Sequence, residues 1–383
     1  MDNLTHSLVG LVAAKAGLER VSPAATTLCV LAANAPDSDI LATYGGRWFY
    51  LQHHRGITHS IVGTLALALL LPTLFWLGDQ LIARVRHRPP KVKLRGLLLA
   101  SLIVSATHPL LDWTNNYGLR PLLPWSGQWY YGDLVFIIDI FIWLTLGGTA
   151  FLLTAKSKLR IALWIALALV LTTAIVFIPT LRAGSSVPLA ARVVWLVGVI
   201  AFFIMHRLRV ASRWRSSLAL CALALIVIYW GGLALLHRRA LAQAQTVAAG
   251  MAAANGETTG RLAAMPVLAN PLRWQCVFET ERATYRFDLS LSEAKAVGTT
   301  VRFEKPAGEA AALYRQAAQD ERARVFLGFA RFPIARVEGD CLKETLVQLA
   351  DLRYTEPVRG ARGTFALEVP VECPPESGAA KEK

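Results

Sequence analysis

His53-His54-Arg55-Gly56-Ile57-Thr58-His59-Ser60 stands at the mouth of a long apolar run, and its core is nearly repeated at the start of the chain. Leu4-Thr5-His6-Ser7-Leu8-Val9-Gly10 parallels Ile57-Thr58-His59-Ser60-Ile61-Val62-Gly63. A third Thr-His pair, Thr107-His108-Pro109, is followed by Asp112. Imidazole is costly beside hydrocarbon and is the commonest metal ligand among side chains. One such histidine is most simply structural. Three in the same setting, with carboxylates nearby, point to a metal site at a membrane surface.

The 383 residues are 54% hydrophobic and only 17% charged, too apolar for an ordinary soluble domain. Met1-Asp2-Asn3 lacks the basic region of a cleavable signal, so the first apolar helix is expected to stay. The five cysteines (Cys29, Cys221, Cys276, Cys341, Cys373) show no CxxC spacing, which argues against thiolate metal ligation. A single disulfide among the last three is open, with no readable pairing. The net charge of +14 would fit a nucleic-acid binder by magnitude, but its placement does not. Arg84, Arg86, Arg88, Lys91, Lys93 and Arg95 fill one loop between apolar segments. Lys156, Lys158 and Arg160 fill a second, and Arg207, Arg209, Arg213 and Arg215 a third. These thirteen cations are nearly the whole excess, and short basic loops beside spans mark the cytoplasmic side. The charge is topogenic; no nucleic acid is expected.

Residues 4–18 and 24–36 read as a tight helical hairpin, too short for two full spans. Spans follow at 58–83, 94–113, 132–154, 159–181, 188–206 and 217–236. The expected fold is an all-α polytopic membrane bundle of six spans plus that hairpin, with a C-terminal soluble α+β domain. The domain reading is 1–237 for the membrane part, 238–255 for a helical linker, 256–373 for the α+β domain and 374–383 for a disordered tail. In the last domain, Trp274–Thr280, Thr284–Leu291 and Val325–Phe332 read as strands and 308–323 as a helix. With the basic loops inside, His6, Asp37, Asp39, His59, His108 and Asp112 all fall on the outer side, as does the C-terminal domain. The charge rule takes no account of ligands, so their agreement carries weight.

His108 and Asp112, four apart, project from one helix face and can share an ion. Asp37 and Asp39 follow Pro36 in a loop able to turn both carboxylates inward. The metal-ligand candidates are His6, Asp37, Asp39, His54, His59, His108 and Asp112. Mixed nitrogen and oxygen donors suit a divalent metal, zinc first, as one or two ions. Asp37 or Asp39 would take a proton, and Arg55 would hold developing negative charge. Asp133 reads as a helix cap, and Asp139, about 9 Å deeper within a span, as the acid that orients a ligand histidine. The plainer alternative makes the aspartates loop solvation and His108/Asp112 a helix-end pair.

Thr5-His6-Ser7, Pro36-Asp37-Ser38-Asp39, His54-Arg55-Gly56-Ile57-Thr58-His59-Ser60 and His108-Pro109-Leu110-Leu111-Asp112 resemble the membrane-bound metal-dependent hydrolases of the YdjM type. The likeness continues through Thr114, Gly118 and Pro124 to Gly132-Asp133, and Asn270-Pro271-Leu272-Arg273-Trp274 is similar to that family's outer domain. More remotely, the ligand order resembles the zinc-dependent phospholipase C group, which would make His6, Asp37, His59, His108 and Asp112 ligands. The N-terminal tryptophan ligand of that group is absent here. These resemblances imply a metal-dependent hydrolase of the bacterial inner membrane that activates water; the charge rule puts its site at the outer face, and a lipid-linked phosphoester is the expected substrate because such substrates reach a site at that depth. A metalloprotease or amidase is the enzymatic alternative, and a metal-dependent sensor or transporter the non-enzymatic one. Membrane lipids are the expected partners; the outer domain's protein partner is unreadable.

Overall fold

Asp2 starts the first helix, α1 (Asn3–Lys15), by accepting Thr5 N at 3.0 Å. Helix α2 (Ala25–Asn34) packs on it through small residues. A Cβ at Gly10 would sit 2.6 Å from the Cys29 carbonyl oxygen, so only glycine permits this approach. The expected hairpin forms. The computed structural model describes residues 1–177, 187–293, 295–339, 345–357, 360 and 364–372.

A 3₁₀ stretch, Ala35–Gly45, leads into the short helix α3 (Arg47–His53), then to the Ile57–His59 turn. Ser60 caps α4 (Ile61–Val85), its hydroxyl accepting Gly63 N at 3.1 Å. The Ile57 carbonyl folds so close that a Cβ on Gly63 would lie 1.8 Å away. The sequence repeat is therefore not a structural one. Thr5-His6-Ser7 lies inside a helix, whereas Thr58-His59-Ser60 forms the turn before one.

Helices α5 (Leu94–Trp113), α6 (Ile140–Thr154), α7 (Lys158–Thr172), α8 (Leu189–Arg207) and α9 (Val210–Ala254) complete the helical region. Among the described residues, five helices are long and apolar enough to cross a membrane: Ile61–Val85, Leu94–Trp113, Lys158–Phe177, Leu189–Arg207 and Val210–Ala254. The expected span over 132–154 is corrected. Only Ile140–Thr154, 15 residues, is helical there, because Asp139 rather than Asp133 caps it. Residues 178–181 of the fourth expected span lie outside the described residues. Leu8, Val12, Leu111, Ile142, Leu146 and Ile226 meet in one core, joining α1, α5, α6 and α9.

Contact clustering gives two units. The first holds Met1–Asp39, Arg55–Arg239 and Met265–Arg273; the second holds Ile40–His54, Ala240–Ala264 and the chain from Trp274 onward. Two antiparallel sheets stand in the C-terminal part. Strands β1 (Leu262–Val267), β2 (Asn270–Glu279), β3 (Ala283–Ser290) and β4 (Lys295–Glu304) form one, in that order. Strands β5 (Pro333–Glu338), β6 (Thr345–Asp351) and β7 (Ala366–Val371) form the other, with Val347 opposite both Val337 and Val369. Helices α10 (Gly308–Ala317) and α11 (Glu321–Phe329) lie between them in sequence. The expected strand Val325–Phe332 is thus largely helical. Asp320 caps α11, and Ala323, Phe326 and Phe329 bury at a spacing of three. Cys276 is a buried free thiol, whereas Cys341, Cys373 and the 374–383 tail lie outside the described residues.

Candidate metal centre

Three segments of the first unit deliver four donor atoms to one point. Asp37 comes from the 3₁₀ stretch after α2, His59 from the turn before α4, and His108 and Asp112 from one face of α5. His59 Nε2 lies 3.3 Å from Asp37 Oδ1, 3.3 Å from Asp112 Oδ2 and 3.1 Å from His108 Nε2. His108 Nε2 lies 3.5 Å from Asp37 Oδ1 and 3.6 Å from Asp112 Oδ2. A tetrahedral zinc ion with donors at roughly 2.0–2.1 Å spaces them about 3.3–3.4 Å apart. Five of the six separations fall around that value, and all four atoms lie within 4.8 Å of one another.

The outer contacts fix the donors. His108 Nδ1 is 2.6 Å from the Ala33 carbonyl oxygen, which only accepts, so Nδ1 carries the hydrogen and Nε2 presents a lone pair inward. Asp39 Oδ2 accepts Arg55 N at 2.8 Å and lies 3.2 Å from His59 Nδ1. This is the carboxylate–imidazole arrangement that orients a ligand histidine from behind. Asp37 Oδ2 and Asp112 Oδ2 are buried without a hydrogen bond, as are both ring nitrogens of His6. Such orphans in a polar pocket mark room for a further partner. Burial pushes the His59 pKa down, but Asp112, Asp37 and Asp39 outweigh it and raise it to about 10. Burial alone would raise Asp37, yet hydrogen bonds from His108 and His59 hold it well below the usual carboxylate range.

The other sequence candidates sit around this core. His6 stacks on His108 with ring centroids 3.8 Å apart, and its Nε2 is 3.3 Å from the second Asp112 oxygen. The α-amino group of Met1 also lies against Asp112 Oδ1. Arg55 is buried, and its guanidinium contacts Asp112 at 3.1 Å, Asn115 Oδ1 at 2.9 Å and the Gly118 carbonyl at 3.2 Å. It therefore clamps Asp112 instead of awaiting a substrate anion. His54 belongs to the second unit, where its ring stacks on Tyr50 at 4.7 Å, and His53 stacks on Phe49.

Asp139 is no mid-span acid. It caps α6 through Phe141 N and Ile142 N at 2.8 and 3.0 Å and accepts Tyr229 OH at 2.8 Å, and none of its contacts is a ligand histidine. Asp133 lies outside the helix with φ 53°, so it does not cap it. Sequence reasoning missed Asn115 and the Ala33 carbonyl. Asn115 was signalled only by polar residues closing an apolar helix; a carbonyl leaves no signal in sequence.

Residues 1–183 match the family described as YdjM inner membrane protein. The uncharacterized protein YfhP of Bacillus subtilis (strain 168) is similar, at 27% identity over 155 residues, which cover 38% of this chain and 44% of YfhP. The chain thus matches less than half of that relative's length. No solved structure matches the chain.

Proposed function

We propose that this chain, whose first 183 residues match the YdjM inner membrane proteins, is a membrane-bound metal-dependent hydrolase acting on a lipid-linked phosphoester at the outer face of the membrane. The observation that carries the reading is the near-tetrahedral spacing of Asp37, His59, His108 and Asp112. Two imidazoles and two carboxylates suit zinc. When bound, a divalent ion lowers the pKa of water towards neutrality and polarises a phosphoryl oxygen.

The chain's own residues supply the rest. Asp37 is 17% exposed at its side chain, against 1% or less for the other three, so substrate approaches over Asp37. Its second oxygen, free of hydrogen bonds, is the acceptor for a proton released there. Asp39 holds His59, the Ala33 carbonyl holds His108, and Arg55 holds Asp112, so the donors are set before substrate arrives. A site where apolar helices end suits a substrate with a polar head and a hydrocarbon tail.

The test is elemental analysis of detergent-purified protein together with a screen of generic phosphoesters. About one divalent ion per chain is expected, with hydrolysis lost in His108→Ala. Full occupancy in His108→Ala, or metal-loaded wild type without activity on any phosphoester, overturns the reading. Reporter fusions after Arg88, Lys158 and Arg209 should report cytoplasm, and one after Gly256 the outside. A cytoplasmic signal at Gly256 removes the outer-face assignment.

A further inference from the structure

At the far end of α1 the helical unit has a second polar site. A cavity of about 510 Å³ opens where α1, α6 and α8 end and α9 begins. Lys15, Arg20, Lys156, Arg209 and Arg215 line it, against a single carboxylate, Glu19. Glu19 is already engaged by Lys15 at 2.5 Å, and Arg20 donates to Ser216 at 2.7 Å. Among the described residues, no carboxylate pairs with Lys156, Arg209 or Arg215. Helix C-termini attract cations, each counting as roughly half a negative charge. Three of them with Glu19 do not balance five cations. Arg209 and Arg215 also hold φ of 55° and 24°, a conformation that non-glycine residues adopt only at a cost. Two of the three unpaired cations are thus the strained residues of this segment.

Leu152, Leu153 and Ala211 also line the cavity, giving it an apolar side. A free phosphate has no use for such apolar lining. On the same helices runs an apolar groove of about 340 Å³, bounded by Trp143 and Phe151 on α6 and by Trp195 and Phe203 on α8. Eight residues of helix is about 12 Å of length. Groove and cavity adjoin where Phe151, which lines the first, packs on His206, which lines the second, at 4.7 Å between rings. Leu4 and Leu8 in the groove and Lys15 in the cavity share one face of α1. His6, nine residues before Lys15, lies about 14 Å away along that helix, so this is not the metal centre.

We propose that cavity and groove together bind an anionic phospholipid, its phosphate among Lys156, Arg209 and Arg215 and one acyl chain along the groove. Guanidinium groups take phosphate oxygens in pairs, and basic pockets between membrane helices select anionic headgroups. The adjoining apolar groove favours a lipid over a soluble anion.

The experiment uses the full chain in neutral detergent. Lipid adducts are counted by native mass spectrometry, and melting is followed with phosphatidylglycerol, phosphatidylcholine or glycerol 3-phosphate added. Phosphatidylglycerol should form a retained adduct and raise the melting temperature; the other two should do neither. Lys156→Gln/Arg209→Gln/Arg215→Gln should reduce the adduct about tenfold or more, since even one lost charged hydrogen bond is worth about that factor. Arg86→Gln/Lys91→Gln/Arg95→Gln removes as many charges from the α4–α5 loop and the first turn of α5 and should retain it. Gly147→Leu fills the groove without touching a charge. Its Cβ meets only Leu8, at 3.8 Å, so the variant should fold and bind less lipid. Equal stabilisation by glycerol 3-phosphate, equal binding of phosphatidylcholine, equal loss in the loop variant, or unchanged adducts in Gly147→Leu would each overturn the proposal.

Discussion

Asp39→Asn separates a residue that orients a ligand from one that is a ligand. Asp39 Oδ2 accepts Arg55 N at 2.8 Å and sits 3.2 Å from His59 Nδ1, while His59 Nε2 faces Asp37, Asp112 and His108. An amide keeps the shape but removes the negative charge that makes the imidazole a stronger donor. Losing such a partner costs about ten- to a hundredfold in metal affinity, or about 1.4 to 2.7 kcal/mol. Removing a donor costs more. His108→Ala deletes one of four converging atoms and leaves the Ala33 carbonyl without its partner. Competition against a chromophoric zinc chelator on the full-length protein should therefore give three levels. Wild type binds tightest, Asp39→Asn ten- to a hundredfold weaker, and His108→Ala and Asp112→Ala without a stoichiometric ion. If Asp39→Asn loses the ion as completely as His108→Ala, Asp39 is itself a ligand and the assignment is refuted. An unchanged affinity would refute it from the other side, by uncoupling Asp39 from His59.

Three further outcomes follow from other parts of the chain. Asp139→Ala should cost about 1–2 kcal/mol in thermal unfolding, through the lost cap and the orphaned Tyr229 hydroxyl, with metal per chain unchanged; loss of metal would restore Asp139 to the site. Gly63→Ala should cost about 1–3 kcal/mol and lower metal content, because the new methyl would displace the turn bearing His59, whereas Gly78→Ala, with open space around it, should do neither; equal behaviour of the two would dismiss the turn as a constraint. In the second unit, the Thr280 hydroxyl, with Arg302 and Tyr285, holds Glu257 down to about 2 against the opposing pull of burial. A folded pKa below the unfolded one gives stability that is present above about 4.5 and lost as pH falls through about 2. Amide exchange in β3 and β4 should accordingly quicken over that range in wild type and change less in Glu257→Gln, and parallel curves would show the carboxylate to be unlinked to folding.

The buried Asp/His cluster was legible because its chemistry violates its surroundings. His59, His108 and Asp112 are polar groups at the ends of apolar helices, and that misfit survives in one dimension. The partition of roles was not legible. Asp37 and Asp39 are separated by one residue, and only the backbone path decides that Asp37 turns to the cluster while Asp39 stands behind His59. Arg55 looked available for a substrate because the sequence does not reveal that Asp112, Asn115 and Gly118 surround it. The span over 132–154 failed for a related reason. Residues 134–138 are apolar enough to continue a helix, but Leu134 N and Val135 N bond the Thr114 carbonyl instead, so that stretch spends its backbone donors on a neighbouring segment. In the C-terminal part, Val325–Phe332 alternates well enough to mimic a strand, and the Asp320 cap settles it as helix.

The positions of the four donors also set a timetable for synthesis. Asp37, His59, His108 and Asp112 all lie within the first 112 of 383 residues. Everything that must meet to form the cluster has therefore left the ribosome while most of the chain is still unmade. The hairpin, α4 and α5 can emerge with all four donors while the helices from α7 onward are still unmade, and the C-terminal sheets arrive long afterwards. A nascent chain stalled soon after Gly118 would already carry every donor, together with Arg55, which braces Asp112, and Asn115, which holds Arg55. What comes later, α6 and α9 included, packs on α1 and α5 around Leu111, beside a cluster whose donors were all made first.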